Sequence, residues 1–315
     1  MPHKIRQIRQ KGKVFDLETY KGYLYCMTAS DPSPARDAFA HCEALARSHY
    51  ENFPVASLAL PARIRPYVAA VYAFARTADD YADEGDRTPA ERLALLDAWE
   101  SGLHKAYEGD ATDPIFIAIM ATAEETGIPK QLLLDLLHAF RMDVTVKRYR
   151  TFEDVLGYCR YSANPVGRLV LHLFGQSRAE TTAPSDAICT GLQLANFYQD
   201  YAVDLSRGRC YVPLDEMSRF GYTEVQNQGS SQDGRFRELM AFQVERAREF
   251  LRGGSSILGL VPGRLKLELS LTVRGGVAIL DRIADINYDV RRTRPTLGKR
   301  HKAKILIDAV LQRPI

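Results

Sequence analysis

Two groups of oxygen-bearing side chains stand at helical spacing on otherwise apolar stretches of this 315-residue chain. In R-T-A-D-D-Y-A-D-E (76–84), Asp79 and Asp83 are four residues apart, directly after the apolar run V-A-A-V-Y-A-F-A. In Q-L-A-N-F-Y-Q-D-Y-A-V-D (193–204), Asn196, Asp200 and Asp204 take the same step twice, with Gln193 three residues ahead. On an α-helix, residues four apart share one face, with neighbouring Cβ atoms about 5–6 Å apart. Hard oxygen donors without His or Cys suit Mg2+ or Mn2+ rather than zinc. Magnesium gives up its waters reluctantly, so one or two carboxylates commonly hold it while substrate phosphates complete the shell. Two such stripes facing each other would cradle a metal–diphosphate group and leave apolar surroundings for a greasy tail. One stripe alone reads as well as a solvated helix end. Two, each on an apolar helix, argue for the cation, because burying so many carboxylates without one is very costly.

The elements that must position these groups are helices. Ser33-Pro34 gives an N-cap and a first-turn proline, predicting a helix to about Tyr50. Pro61 begins the next, whose stripe of Ile64, Val68, Val71, Tyr72 and Ala75 runs into the first acidic group. Thr88-Pro89-Ala90-Glu91 is a capping box, Asp113-Pro114 and Pro129 open further helices, and Thr151 to Asp154 is another Thr-x-x-acid start. Helices are expected over 185–206, 235–251 and 263–290, with Gly275-Gly276 a weakness or a close-packing point. Strand signals, internal repeats and long linkers are all missing from the pattern. The reading is all-α: a basic leader over residues 1–32, loosely attached, and one domain over 33–315.

Composition sets the outer limits. Apolar content of 46% and charged content of 26% are ordinary for a soluble globular chain, and a net charge of +3 is too small to argue for nucleic acid. Five widely spaced cysteines with no C-x-x-C argue against a disulfide framework and a zinc site, and fit a reducing compartment. No apolar run reaches the ~20 residues that span a bilayer. The expected location is cytoplasmic. The basic, apolar-striped C-terminal segment has two readings: a peripheral contact with the inner face of the membrane, or an ordinary surface helix end.

The two motifs, Y-A-F-A-R-T-A-D-D-Y-A-D (72–83) and Q-L-A-N-F-Y-Q-D-Y-A-V-D-L-S-R-G-R-C-Y-V-P (193–213), resemble those of the squalene and phytoene synthase family, over about 35–300. The resemblance implies a single-domain class I isoprenoid synthase bundle with a central apolar cavity. It implies that Asp79, Asp83, Asn196, Asp200 and Asp204 bind magnesium and diphosphate. His49, Tyr72, Arg76 and Gln193 fall where the family places substrate contacts. Three departures stand out: H-Y-E-N-F-P-V-A-S (49–57) replaces a serine-rich entry motif, Y-C-R-Y-S-A-N-P-V-G (158–167) replaces a Tyr-Cys-Val-Ala-Gly pattern, and Gln199 stands where an Arg commonly precedes the Asp. These variants are similar to the bacterial hopanoid-pathway branch, which converts presqualene diphosphate to hydroxysqualene. Water rather than NADPH hydride would end that reaction, so NADPH is not expected, and a presqualene diphosphate synthase would hand over the substrate. The alternatives are a presqualene diphosphate, squalene or phytoene synthase, or a non-catalytic relative acting as an assembly protein.

Individual residues carry paired readings. Arg76 could pair with Asp79 or Asp80, or hold diphosphate as a bidentate donor, which is favoured. Arg209 and Tyr211 either close over the diphosphate or form a loop salt bridge and a packed ring. Of Tyr158, Tyr161, Phe197, Tyr198 and Tyr201, one or two are expected to face a carbocation and the rest to be core. Asn52 and Asn164 are candidates to position the captured water. His138 and His172 read as core or packing residues, Asp80 as support, and Lys147, Arg148 and Arg150 as a solvated patch.

Overall fold

The computed structural model describes residues 34–48, 60–223 and 234–315. Its helices begin where the caps say they should. The Thr88 hydroxyl accepts from the Glu91 amide while Glu91 reaches back to the Thr88 amide, opening α3 (Pro89–Tyr107). Asp113 caps α4 (Pro114–Thr126), and the Thr151–Asp154 pair opens α6 (Phe152–Ser162). Before these come α1 (Pro34–Ser48) and α2 (Arg65–Asp83), and between them α5 (Lys130–Thr145). The chain continues through α7 (Asn164–Leu173), α8 (Ala179–Gln199), α9 (Tyr201–Ser206), α10 (Leu214–Arg219), α11 (Gly234–Gly254), α12 (Gly263–Asp285) and α13 (Lys299–Val310). Among the described residues, β pairing is confined to one parallel bridge between Arg148 and Cys210.

Two cores meet in this bundle. One gathers α1 to α5 around Phe74, Trp99 and Phe116; the other gathers α6 and α8 to α12 around Tyr198, Tyr222 and Phe236. In α2 the deepest face differs from the expected stripe: Ala69, Ala70, Ala73, Phe74, Ala78 and Ala82 are buried, whereas Val68, Val71, Tyr72 and Ala75 are only half-buried. A row of alanines lets neighbouring helices approach closely, so volume matching rather than side-chain size selects the inner face.

Three expected helix bounds are corrected. The 185–206 helix begins at Ala179, where the Arg178 amide donates to Thr181 Oγ1 (3.1 Å), and breaks at Asp200 (φ −97°, ψ 11°). The Asp200 amide still donates to the Asn196 carbonyl (2.8 Å) and the Asp204 amide to that of Asp200 (2.9 Å), so the acidic stripe survives the break. The 263–290 helix stops at Asp285, because Asn287 and Tyr288 adopt left-handed conformations (φ 53° and 59°). This turns the chain back toward the α8–α9 junction, where Gln199 Nε2 donates to the Pro295 carbonyl (2.6 Å). The first helix is described to Ser48, and its expected end near Tyr50 lies outside the described residues. Within the α8–α11–α12 packing, a Cβ on Gly276 would lie 2.7 Å from Leu192, as a close-packing point requires, whereas Gly275 faces open space.

Candidate active site

The two acidic stripes line one cleft. From α2 come Asp79 and Asp83; from the α8–α9 junction come Gln193, Asn196, Phe197, Asp200, Val203 and Asp204. The loop after α9 adds Arg207, Arg209 and Tyr211, and α5 and α6 add Asp143 and Tyr158. Gly208 (φ +75°) makes the turn that aims Arg209 inward. The segment 147–150 then clamps the loop: the Cys210 amide donates to the Lys147 carbonyl (3.0 Å) and the Leu214 amide to that of Tyr149 (3.0 Å).

Guanidinium groups sit on Asp79, Asp83 and Asp200. Arg76 bonds Asp79 (3.1 Å), Asp80 (2.6 Å) and Glu84. Arg209 crosses from the loop to Asp83, and Arg294, from the segment between α12 and α13, lies on Asp200. Asn196 Nδ2 donates to Asp200 Oδ2 (3.1 Å). Burial raises Asp79 above the usual carboxylate range, with Asp83 and Asp80 adding to the rise and Arg76 opposing it. Burial also pushes Asp204 up to about 6, aided by the charge of Asp200. Both shifts come first from burial, with neighbouring carboxylates adding to them.

Beneath this rim the floor is aromatic. Phe197 and Tyr211 stack with centroids 3.7 Å apart and planes 4° off parallel, and Tyr158 tilts against both at 5.9 and 5.6 Å. Tyr158 donates its hydroxyl to Asp143 Oδ1 (2.8 Å), which fixes its ring. Burial pushes Asp143 up to about 6 and Tyr158 well above its ordinary value. Of the five aromatic candidates, Tyr158 and Phe197 line the cleft. Tyr198 is buried and donates to Gln243 Oε1 (3.0 Å), Tyr201 packs on Phe236, and Tyr161 lies against His138.

The remaining expectations divide. His49 and Asn52 lie outside the described residues. Tyr72 stands one turn before Arg76, within reach of the charges of Arg76, Asp80 and Asp79. Asn164 starts α7 and accepts from Thr190 Oγ1 (3.1 Å), away from the cleft lining. His138 is exposed with its ring packed against Tyr161, and His172 is half-buried and hydrogen-bonded to Ser177 (3.0 Å), so both are packing residues at the edge of the core. The patch at 147–150 is not simply solvated. Lys147 borders the acidic cleft, and Arg148 Nη1 donates to the Gly208 carbonyl (2.5 Å).

Sequence reasoning missed Asp143 and Arg294. A carboxylate at 143 continues the buried line Leu136–Ala139 on α5, a signal that was present. Arg294 lies in R-R-T-R-P with nothing in its spacing to mark it. The donor set of four carboxylates and one amide fits a hard divalent cation. Among the described residues, however, no three acidic, histidine or cysteine side chains already converge as a metal centre. Arg76, Arg209 and Arg294 instead occupy oxygens of Asp79, Asp83 and Asp200.

The family model for squalene/phytoene synthases matches residues 46–301. The chain is 38% identical over 224 residues to the hydroxysqualene synthase of Sinorhizobium fredii, covering 70% of this chain and 75% of that one. It is 28% identical over 272 residues to the phytoene synthase of Arthrospira platensis, covering 82% and 88%. Among solved structures, squalene synthase HpnC from Alicyclobacillus acidocaldarius aligns with a TM-score of 0.76 at 42% identity, over 81% of this chain and 95% of that one.

Proposed function

The chain belongs to the squalene/phytoene synthase family, and we propose that its cleft ionises presqualene diphosphate and adds water, releasing hydroxysqualene and diphosphate. The observation that carries the reading is the juxtaposition of an acidic, arginine-studded rim with the stacked floor of Tyr158, Phe197 and Tyr211. A rim of that kind suits a diphosphate leaving group, and a floor of that kind suits the cation left behind. The branch rests on the higher identity to a hydroxysqualene synthase than to a phytoene synthase.

Asp79, Asp83, Asn196, Asp200 and Asp204 would hold Mg2+, or Mn2+ with the same donor preference. Such a cation, when bound, neutralises the diphosphate as the carbon–oxygen bond breaks. Arg76, Arg209 and Arg294 then have a second use. With a cation held by those carboxylates, each guanidinium would present a donor fork to phosphate oxygens. Lys147, whose ammonium is disfavoured by burial and by Arg209, gains from the same negative charge. Gln193 lies a turn deeper and supplies a neutral amide.

The rings of Tyr158, Phe197 and Tyr211 present π faces to a carbocation. Asp143 holds the Tyr158 hydroxyl, which keeps that ring in the floor and its oxygen engaged. Water ends the reaction, so the balance closes without a reductant: one water enters, and hydroxysqualene and diphosphate leave. A presqualene diphosphate synthase is the natural source of substrate.

The test is product analysis by mass spectrometry after feeding the purified protein presqualene diphosphate with Mg2+ and no NADPH. Hydroxysqualene is the expected product, and Asp200→Ala should abolish it. Consumption of farnesyl or geranylgeranyl diphosphate alone would move the chain to another branch. Full activity in the Asp200 variant would remove the metal assignment.

A further inference from the structure

The helix α13 is built the wrong way out for an ordinary surface helix. Leu306, Ile307, Val310 and Leu311 are each more than half exposed. Elsewhere among the described residues, the exposed large apolar side chains are Val166, Val203, Leu214 and Leu260, with Ile315 at the C-terminal end. The turn that follows α13 is held to α12 by polar contacts. Arg274 donates to the carbonyls of Arg313 and Pro314, Lys266 Nζ donates to Gln312 Oε1 (3.1 Å), and Arg313 pairs with Asp308 (2.8 Å). Ala309 alone is buried within the helix.

The spacing makes the exposed side chains one stripe. Ala303, Leu306, Ile307 and Val310 recur at three- and four-residue steps and share a face. Lys302 and Lys304 flank that stripe on either side, and Lys299 and Arg300 extend it at the helix N-terminus. None of these four cations makes an ion pair among the described residues. The segment's single acid, Asp308, is taken by Arg313. An apolar ridge bordered by unneutralised cations matches an anionic lipid surface, with the side chains entering the acyl boundary and the cations meeting headgroups. A globular partner that covered the ridge would need acids to match.

The chain also ties this helix to the cleft. Arg294 lies on Asp200, and Lys299 begins α13 five residues later. At the ~3.6 Å limit per residue, the helix start is within about 18 Å of the Arg294 backbone at the cleft rim.

We propose that α13 docks the protein on anionic bilayers, with Leu306, Ile307 and Val310 inserted and Lys299, Arg300, Lys302 and Lys304 at the headgroups. The proposed reaction supplies a reason for it, since substrate and product would both be lipids, but the docking stands on the surface itself. The test is flotation of the full chain with vesicles of phosphatidylcholine alone or mixed with phosphatidylglycerol, at low and high salt. Binding is expected only to the anionic vesicles, and to fall with salt. Lys302→Gln with Lys304→Gln should weaken partitioning about 10–30-fold, at roughly 1 kcal/mol for each charge near the surface. Leu306→Asp with Val310→Asp should abolish it. Turnover of detergent-dispersed substrate by both variants should stay near wild type, which separates loss of docking from failure of the proposed reaction. Equal binding to neutral vesicles, undiminished binding by the variants, or an absence of binding would each overturn the proposal. So would a stable dimer that dissociates in the Leu306/Val310 variant, which would make a second copy the occupant.

Discussion

Asp143 is a carboxyl held where its charge is disfavoured, and replacing it should expose that conflict. Burial pushes it up to about 6; the Tyr158 hydroxyl and Arg209 oppose the shift, and Asp83 and Asp79 add to it. In the unfolded chain such a group titrates near ~3.9. Between those values the folded molecule keeps a proton that the unfolded one has lost, so stability falls as pH rises through this window. The contribution is fully present below about 4 and gone above about 6. Two pH units at 1.36 kcal/mol each make the loss on the order of 3 kcal/mol. Asp143→Asn is uncharged throughout, nearly isosteric, and still accepts from Tyr158. Urea unfolding followed by circular dichroism should find it more stable than the native chain by about 1–3 kcal/mol at pH 8, with the gap closing toward pH 4. Its turnover should nevertheless fall, since a buried charge kept at a cost to folding marks a residue that the site uses. Equal stability at pH 8, or a gap that does not change with pH, would refute the reasoning.

Two more outcomes follow from particular contacts. Arg294→Ala removes a half-exposed partner of Asp200, so Mn2+ binding read by electron paramagnetic resonance should tighten by up to about fivefold, the value of an exposed pair; unchanged or weaker Mn2+ binding would show that Arg294 does not compete for that carboxylate. Gly254→Ala places a Cβ 2.7 Å from the Pro184 carbonyl and should cost about 1–3 kcal/mol. Gly275→Ala, open on all sides, should instead gain about 0.4–1 kcal/mol, and denaturant midpoints of the two variants should move in opposite directions.

Much of the fold was legible because caps and periodicity are local. The Thr88 and Thr151 boxes and the Asp113 cap sit where their motifs predict, since each needs only three or four neighbouring residues. The inner face of α2 was less legible. Which side of a helix packs deepest depends on what lies opposite, and the alanine row is selected by helices many residues away. The acidic stripes were readable for the same reason as the caps: steps of four residues need only one helix, and the bonds across the Asp200 break keep the stripe intact.

The pairing of Arg76 with Asp79 and Asp80 was readable as a local step, but the long-range pairings were not, and the reason is physical. Arg209 meets Asp83 across 126 residues and Arg294 meets Asp200 across 94, so neither pairing leaves a periodic trace. Arg294 arrives only because Asn287 and Tyr288 turn left-handed with no glycine to announce it, and because Gln199 holds the Pro295 carbonyl. Gln199 and Asp200 thus grip Pro295 and Arg294 as adjacent pairs. The substitution that looked like a lost cation at 199 brings a guanidinium to the next residue from another part of the chain. A motif therefore locates the carboxylates, but the fold decides which cations answer them. In this cleft three guanidinium groups stand on Asp79, Asp83 and Asp200, the carboxylates proposed to meet a metal–diphosphate group.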